Sequence, residues 1–278
     1  MGEQSDVRGT VRHFVEHASA FADLDSVVWD PVSMATVLRS APQFGELVLD
    51  ACCGDGASAL PTAELVGPSG VVDAVDLSET MIELARERAE RESAPLPQLR
   101  LHAADVLEWE PTGYDLVQCV LGVFFLGDVD AGAERLIERA KPGGRFAVTL
   151  WAPPAFREFT KALCDAVEAE GGEAGAEAVA AYRDRSRPDL PETPGALAQW
   201  LGRLGLEHTR AELVPRHLDL DHDLSWRLVV GMSRARLIAD LDDETREAVA
   251  TRFHELLAER DITRVDVSTL IGVGHRPA

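Results

Sequence analysis

The 278 residues carry 48 Asp and Glu against 27 Lys and Arg, a formal charge of −21. A surface that acidic repels phosphate backbones and anionic headgroups, so nucleic acid and membrane surfaces are disfavoured as partners. With 46% apolar residues there is material for one large domain or a core with a subdomain. Apolar runs stay short of the ~20 residues a bilayer-spanning helix needs. Met1-Gly2-Glu3-Gln4-Ser5-Asp6 offers neither a basic region nor an apolar segment, so no secretory signal and a cytoplasmic location are expected.

Residues 1–40 are expected to form a helical cap, with Phe14, Phe21 and Trp29 as its large aromatics. His13 and His17 share one helix face at i, i+4. The run Leu47-Val48-Leu49 then reads as a buried parallel strand that stops at Asp50 and enters Ala51-Cys52-Cys53-Gly54-Asp55-Gly56. A helix follows over about 57–66. Two glycines one residue apart let the backbone turn sharply and let a ligand approach main-chain N–H groups. In a strand–loop–helix unit that places a nucleoside-type ligand at the carboxyl end of the first strand.

After Gly67-Pro68-Ser69-Gly70 a second strand runs over about 71–75 and ends at Asp76. That is the spacing of a carboxylate that takes ribose hydroxyls. Ser78 caps a helix whose Met81, Ile82, Ala85 and Ala89 recur at helical spacing, with Glu79, Glu83, Arg86, Glu87 and Arg88 toward solvent. Pro95 and Pro97 close this unit. A short strand near 99–103 leads to Ala104-Asp105-Val106, and a fourth apolar strand spans Leu116–Val120. A helix near 130–140, capped by Asp128 or Asp130, ends at Lys141-Pro142-Gly143-Gly144, a turn signal. The fifth strand, Arg145–Trp151, follows. Strands separated by helices describe an open, mostly parallel α/β sheet.

Beyond Trp151 the pattern changes. Pro153-Pro154 breaks the chain, an Ala/Glu-rich helical region runs to about 182, and 183–195 reads as an exposed linker. A helix near 195–204, a strand near 206–216, helices near 223–240 and 243–260 and a strand near 265–273 complete the chain. The expected division is a cap (1–40), a cofactor-binding core (41–152), and a remainder (153–278) that adds core strands and helical lid insertions. Cys52, Cys53, Cys119 and Cys164 are too few and too oddly spaced for a disulfide framework or a metal site. Cys52 and Cys53 would point to opposite faces of an extended segment. No metal is expected.

The fingerprint Gly54-Asp55-Gly56-Ala57-Ser58-Ala59 with Asp76 also fits a nicotinamide-dinucleotide site. The wider series favours another cofactor. Val48-Leu49-Asp50-Ala51-Cys52-Cys53-Gly54-Asp55-Gly56, Val75-Asp76-Leu77-Ser78-Glu79-Thr80-Met81-Ile82, Ala104-Asp105-Val106, Tyr114-Asp115-Leu116-Val117 and Lys141-Pro142-Gly143-Gly144 together resemble the class I S-adenosylmethionine-dependent methyltransferases. They are most similar to the small-molecule branch that includes the ubiquinone/menaquinone biosynthesis enzymes.

The resemblance, which covers about residues 25–152, implies a seven-stranded Rossmann-like sheet with its last strand antiparallel and S-adenosyl-L-methionine as cofactor. It also implies that Asp50 orients the glycine loop and the methionine amino group, while Ala51, Cys52, Gly54 and Gly56 form the loop. Asp76 would take both ribose hydroxyls, and Leu77 and Met81 would flank adenine. Ala104, Asp105 and Val106 would meet the adenine edge, and the Cys119 carbonyl would help hold the ammonium. Two positions depart from the family pattern: Cys52 replaces the usual glycine, and Phe124 stands where many relatives have a histidine.

The implied reaction is methyl transfer to an O, C or N atom of a small, largely apolar or aromatic biosynthetic metabolite. The transferring cation loses its charge as the methyl moves, so alignment in a dry pocket suffices, with a base helping only where the acceptor must lose a proton. Phe14, Phe21, Trp29, Phe124, Trp151 and Trp226 are the aromatic candidates for the acceptor pocket, and His17 and His222 the candidate bases. The alternative is a protein of the same fold that binds the cofactor without methyl transfer: a lyase, a pericyclic catalyst or a non-catalytic subunit. The 183–195 segment and the lid helices leave room for a homodimer.

Overall fold

Capping residues and apolar periodicity set the elements. The computed structural model describes residues 18–184 and 190–278, so His13, Phe14, His17 and the middle of the 183–195 segment lie outside the described residues. The cap comprises α1 (Ala18–Ala22), one π-helical turn at Asp25–Trp29, and α2 (Asp30–Ser40). The core then alternates through β1 (Leu47–Ala51), α3 (Ala59–Val66), β2 (Val71–Asp76), α4 (Glu79–Arg91), β3 (Leu99–Ala103), β4 (Tyr114–Val120), α5 (Val129–Ile137) and β5 (Ala140–Trp151). The remaining elements are α6 (Arg157–Glu170), α7 (Gly172–Asp184), α8 (Pro194–Arg203), β6 (Glu207–Val214), β7 (His217–Asp219), α9 (His222–Val230), α10 (Asp243–Glu259), β8 (Arg264–Asp266) and β9 (Thr269–His275).

Seven strands form one sheet in the order β3-β2-β1-β4-β5-β9-β6. β9 runs antiparallel to β5 and β6, while the pairings among β1 to β5 are parallel. This is the Rossmann-like sheet with an antiparallel last strand. Side chains alternate across it: Val48 of β1 faces a core layer with Ala59, Ala63 and Ile82. Its neighbour Leu49 faces the other layer, with Ala133, Leu136 and Trp200. Because β1 is flanked by β2 on one side and β4 on the other, the chain reverses its winding there. A crevice opens at the strands' carboxyl ends at such a point.

A third cluster lies off the sheet, where α6, α9 and α10 bury Phe159, Leu163, Leu228 and Phe253 with Leu24 from the connection after α1. Phe159 and Phe253 meet edge to face at 5.1 Å. Each buried ring of this kind contributes about 1.5–3 kcal/mol through its area alone. This cluster makes α6 a fixed wall rather than a loose flap.

Three sequence expectations are corrected. Lys141-Pro142-Gly143-Gly144 is not a turn after a long helix. α5 ends at Ile137, and these residues bulge within β5, between the pairs Tyr114–Ala140 and Leu116–Arg145. The bulge is held as sheet because Gly143 N–H donates to the Arg276 carbonyl and Arg276 N–H to Gly144, and a bulge tolerates proline. The strand expected near 206–216 ends as β6 at Val214, before Pro215, and β7 pairs with β8 instead. The long helix expected at 223–240 ends at Val230, and after Gly231 the chain forms a 3₁₀ turn at Ser233–Leu237.

Candidate cofactor and acceptor site

The loop after β1 is built on a buried acid. Asp50 has no exposed surface and accepts hydrogen bonds from Ser58 Oγ (2.7 Å) and Gln118 Nε2 (3.1 Å). Ser58 thus points its hydroxyl back under the loop instead of capping α3. Burial pushes the Asp50 carboxyl up to about 7, against those two hydrogen bonds, which lower it. Above the acid, Cys52 adopts a left-handed φ of +57°, a conformation that favours glycine. Its side chain fits because residue 122 is glycine: a Cβ there would lie 2.5 Å from Cys52 Cβ and 3.0 Å from Cys119 Sγ. The departure from the family pattern at Cys52 is therefore matched by a missing side chain on the neighbouring strand end.

Asp76 closes the other side of the loop. Its Oδ2 accepts from Gly54 N–H and its Oδ1 from Ser78 N–H, both at 2.9 Å. Burial raises its pKa, and these two N–H groups oppose the shift. Ser78 caps α4 by accepting from Met81 N–H, which seats Leu77 and Met81 beside the carboxylate. Asp105 Oδ1 accepts from Leu107 N–H at 2.9 Å, folding Asp105-Val106 into a tight turn after β3. That turn is braced from behind, where Trp109 Nε1 donates to Tyr114 Oη and Tyr114 donates to Asp73, each at 2.9 Å.

The cap is pinned to the glycine loop through one guanidinium. Arg88 Nη1 lies 2.9 Å from Asp55 and 3.0 Å from Asp25, and its Nη2 lies 2.6 Å from Asp30. Burial, and then the neighbouring Asp55, push Asp25 up to about 8. Asp25 begins the π-helical turn that ends at Trp29, and such turns recur at functional sites. Trp29 donates to the Phe21 carbonyl and stacks on the Phe21 ring at 4.5 Å.

The loop, Asp76, the Asp105-Val106 turn and the cap's Phe21 and Trp29 border one cleft of about 1480 Å³, larger than the roughly 300–1,000 Å³ that one drug-sized ligand fills. Cys52, Gly54, Asp76, Leu77, Met81, Asp105 and Val106 line one half. Phe21, Trp29, Phe124, Trp151 and Phe156 line the other. Trp151 meets Phe156 edge to face at 5.2 Å and Trp29 at 6.4 Å. The remaining candidates of the glycine-loop half, Asp50, Ala51, Gly56, Ala104 and Cys119, lie behind this surface and do not line it.

Trp226 and His222 do not reach the cleft. Trp226 packs at the helical core against Phe253 and His254, because α9 turns its apolar face to α10. His222 stacks on His254 at 3.7 Å. Sequence reasoning missed Leu121 and Phe156, which line the cleft with left-handed φ of +54° and +58°. It also missed Arg157, Lys161, Arg234 and Arg236 on its outer wall. Backbone strain of this kind leaves no mark in composition. Phe156, lying close after Trp151 and the proline pair, was the one available hint.

A doubly wound sheet with carboxylates at the ends of β1 and β2 and a two-part cleft at the switch point defines a nucleoside-cofactor enzyme. Residues 48–144 match the family model described as a methyltransferase domain. The chain is 32% identical to aklanonic acid methyltransferase DauC of Streptomyces sp. (strain C5), over 58% of this chain and 71% of that one. It is 27% identical to demethylmenaquinone methyltransferase of Oceanobacillus iheyensis, over 58% and 70%. Among solved structures, the YcgJ protein of Bacillus subtilis superposes with a TM-score of 0.57 at 14% identity, over 89% of this chain and 98% of that one.

The chain belongs to the class I S-adenosylmethionine-dependent methyltransferases. It is an enzyme that uses S-adenosylmethionine to methylate a small metabolite.

Proposed function

We propose that the acceptor is an apolar, aromatic biosynthetic metabolite, bound between Trp29, Trp151, Phe124 and Phe156 while the cofactor occupies the half framed by Asp76 and Asp105. The observation that carries this reading is the lining of a single cleft by both carboxylates and a run of mutually contacting rings. The relatives named for aklanonic acid and demethylmenaquinone support an acceptor of this kind.

The residues present fit the cofactor. A Cβ at Gly54 would meet no atom within 4 Å, so the loop backbone borders open space, and Asp50 Oδ1 is buried with no hydrogen-bond partner among the described residues. Asp76 would hold the ribose hydroxyls. Leu77 and Met81 would flank the adenine, and Asp105 and the Val106 N–H would meet its polar edge. The Cys52 and Gly54 backbone would follow the methionine portion, with the Cys119 carbonyl near its ammonium and Asp50 setting the loop from below.

Bound there, S-adenosylmethionine supplies a methyl group on a positively charged sulfur. The chain's own part is positional. Phe21 and Trp29 cover the cleft and exclude water, and the rings of Trp151 and Phe156 orient the acceptor plane. His222 is too remote to serve as a base. The helical remainder, 153–184 above all, acts as the acceptor lid on the 41–152 core. The net charge of −21 supports a small-molecule partner over nucleic acid or a membrane surface. Among the described residues no helix is long and apolar enough to cross a membrane.

The test is product analysis with isotopically methylated cofactor and a panel of hydroxylated polycyclic aromatics. Labelled product with stoichiometric S-adenosylhomocysteine is expected. Acceptor conversion without label transfer would instead establish the non-methylating alternative.

A further inference from the structure

A long polar side chain stands in the middle of the sheet, where a core residue is expected. Gln118 of β4 pairs in register with Asp50 of β1 and has no exposed surface. Two residues back along each strand, Leu116 and Val48 are apolar and wholly covered. Burying an amide in such company is costly unless its donors and its acceptor are met. Here they are. Nε2 donates to Asp50 Oδ2 at 3.1 Å and to Thr62 Oγ1 of α3 at 3.0 Å. Oε1 accepts from Ser40 Oγ, at the end of α2, at 3.3 Å.

The amide thus ties α2, α3 and β1 together at one carboxylate, and it leaves that carboxylate half engaged. Ser58 and Gln118 both donate to Oδ2, whereas Oδ1 is buried with no hydrogen-bond partner among the described residues. Burial pushes the Asp50 carboxyl up to about 7, and the hydrogen bonds from Ser58 and Gln118 keep it from rising further. The titratable groups that bear on it are Asp76 of β2, which adds to the rise, and the Cys53 thiol of the loop. Neither is a cation, so an amide and a hydroxyl are what favour the charged form. A charge held in so dry a place acts strongly on a cation brought near it.

We propose that Gln118 is a positioning residue for the methyl donor: through Asp50 it holds a charged carboxylate, one oxygen open, beneath the glycine loop, and so favours the ammonium bound above it. Gln118 does not line the cleft and acts only through that acid. The inference rests on the placement of the cofactor over the β1 loop, and it adds the residue that sets the charge state under that loop.

The experiment titrates the full chain with S-adenosylhomocysteine by calorimetry, from about pH 5.5 to about pH 9. Wild-type affinity is expected to rise with pH and level off above about 7, because the ammonium binds best once Asp50 has lost its proton. Gln118→Met keeps the volume and removes one donor. It moves the midpoint up by about one pH unit, so affinity falls about fivefold at about pH 7 and by less than about twofold at about pH 9. Gln118→Glu keeps the shape, sets an acid against Asp50 and moves the midpoint at least as far; it stands in if the Met variant does not fold. In Asp50→Asn the rise is lost, and adding Gln118→Met brings no further pH dependence. A loss of equal size at every pH, a midpoint that neither Gln118 variant moves, or a flat wild-type profile overturns the proposal. Failure of S-adenosylhomocysteine to bind the wild-type chain at any pH would instead remove the cofactor placement beneath it.

Discussion

The two walls of the cleft are made of different material. The wall proposed for the cofactor is backbone and short acids at strand ends: Gly54, Asp76 and the Asp105-Val106 turn, fixed by main-chain N–H groups that donate to the two carboxylates at 2.9 Å. The wall proposed for the acceptor is side chains from helices and connections, namely Trp29, Trp151 and Phe156, held by ring contacts and packing. A wall of backbone turns tolerates few sequences, whereas a wall of side chains can be recut without moving the sheet.

The sharpest way to break the contrast is at Asp76. Asp76→Ala removes both a cleft carboxylate and the acceptor of two loop N–H groups, and is expected to weaken S-adenosylhomocysteine binding at least tenfold, ~1.4 kcal/mol or more, by calorimetry. Unchanged affinity would retire the assignment of the cofactor wall. Next in size is Gly122→Ala, whose new Cβ would meet that of Cys52 at 2.5 Å. Overpacking of this kind costs about 1–3 kcal/mol, read as a fall of several degrees in Tm. Adding Cys52→Gly should restore most of it, and the absence of rescue would deny the coupling of the two positions.

Trp151→Ala should weaken binding of 1-hydroxy-2-naphthoate about fivefold, in line with the ~1 kcal/mol that an aromatic contact contributes, while leaving S-adenosylhomocysteine within about twofold. Equal losses for both ligands would erase the boundary between the walls. The smallest effect concerns the cap. The Asp25 carboxyl rises on folding from 3.8 to about 8, so the folded state binds its proton more tightly than the unfolded state does. That stabilisation is complete below pH 3.8 and is lost as pH climbs through about 8. Tm should therefore decline between pH 5 and 9, and Asp25→Asn should flatten the upper part of the decline. A profile that Asp25→Asn leaves untouched would place the titration elsewhere.

How much could be seen beforehand divides along the same line. The place of Asp76 and Asp105 at the cleft was legible because each lies at or just after the end of a strand, where a doubly wound sheet opens its crevice. Ser78 announced its helix by type and position. The rest turned on quantities that residue type does not encode. Cys52, Leu121 and Phe156 occupy left-handed backbone at the cleft, which glycine would have advertised and they do not. Trp226 and Phe156 are both aromatics of the same insertion, yet only the packing of α9 on α10 decides which one faces a ligand. The Lys141–Gly144 bulge looked like a turn because the strand that holds it, β9, joins from far along the chain.

That late arrival has a cost during synthesis. β9 lies inside the sheet, bonded to β5 on one side and β6 on the other, and Leu270, Ile271 and Val273 are almost wholly covered. Until residues 269–275 leave the ribosome, both neighbours present unpaired strand edges to their surroundings, a state prone to aggregation. Holdase chaperones would therefore find their best target in this enzyme just before the final strand emerges.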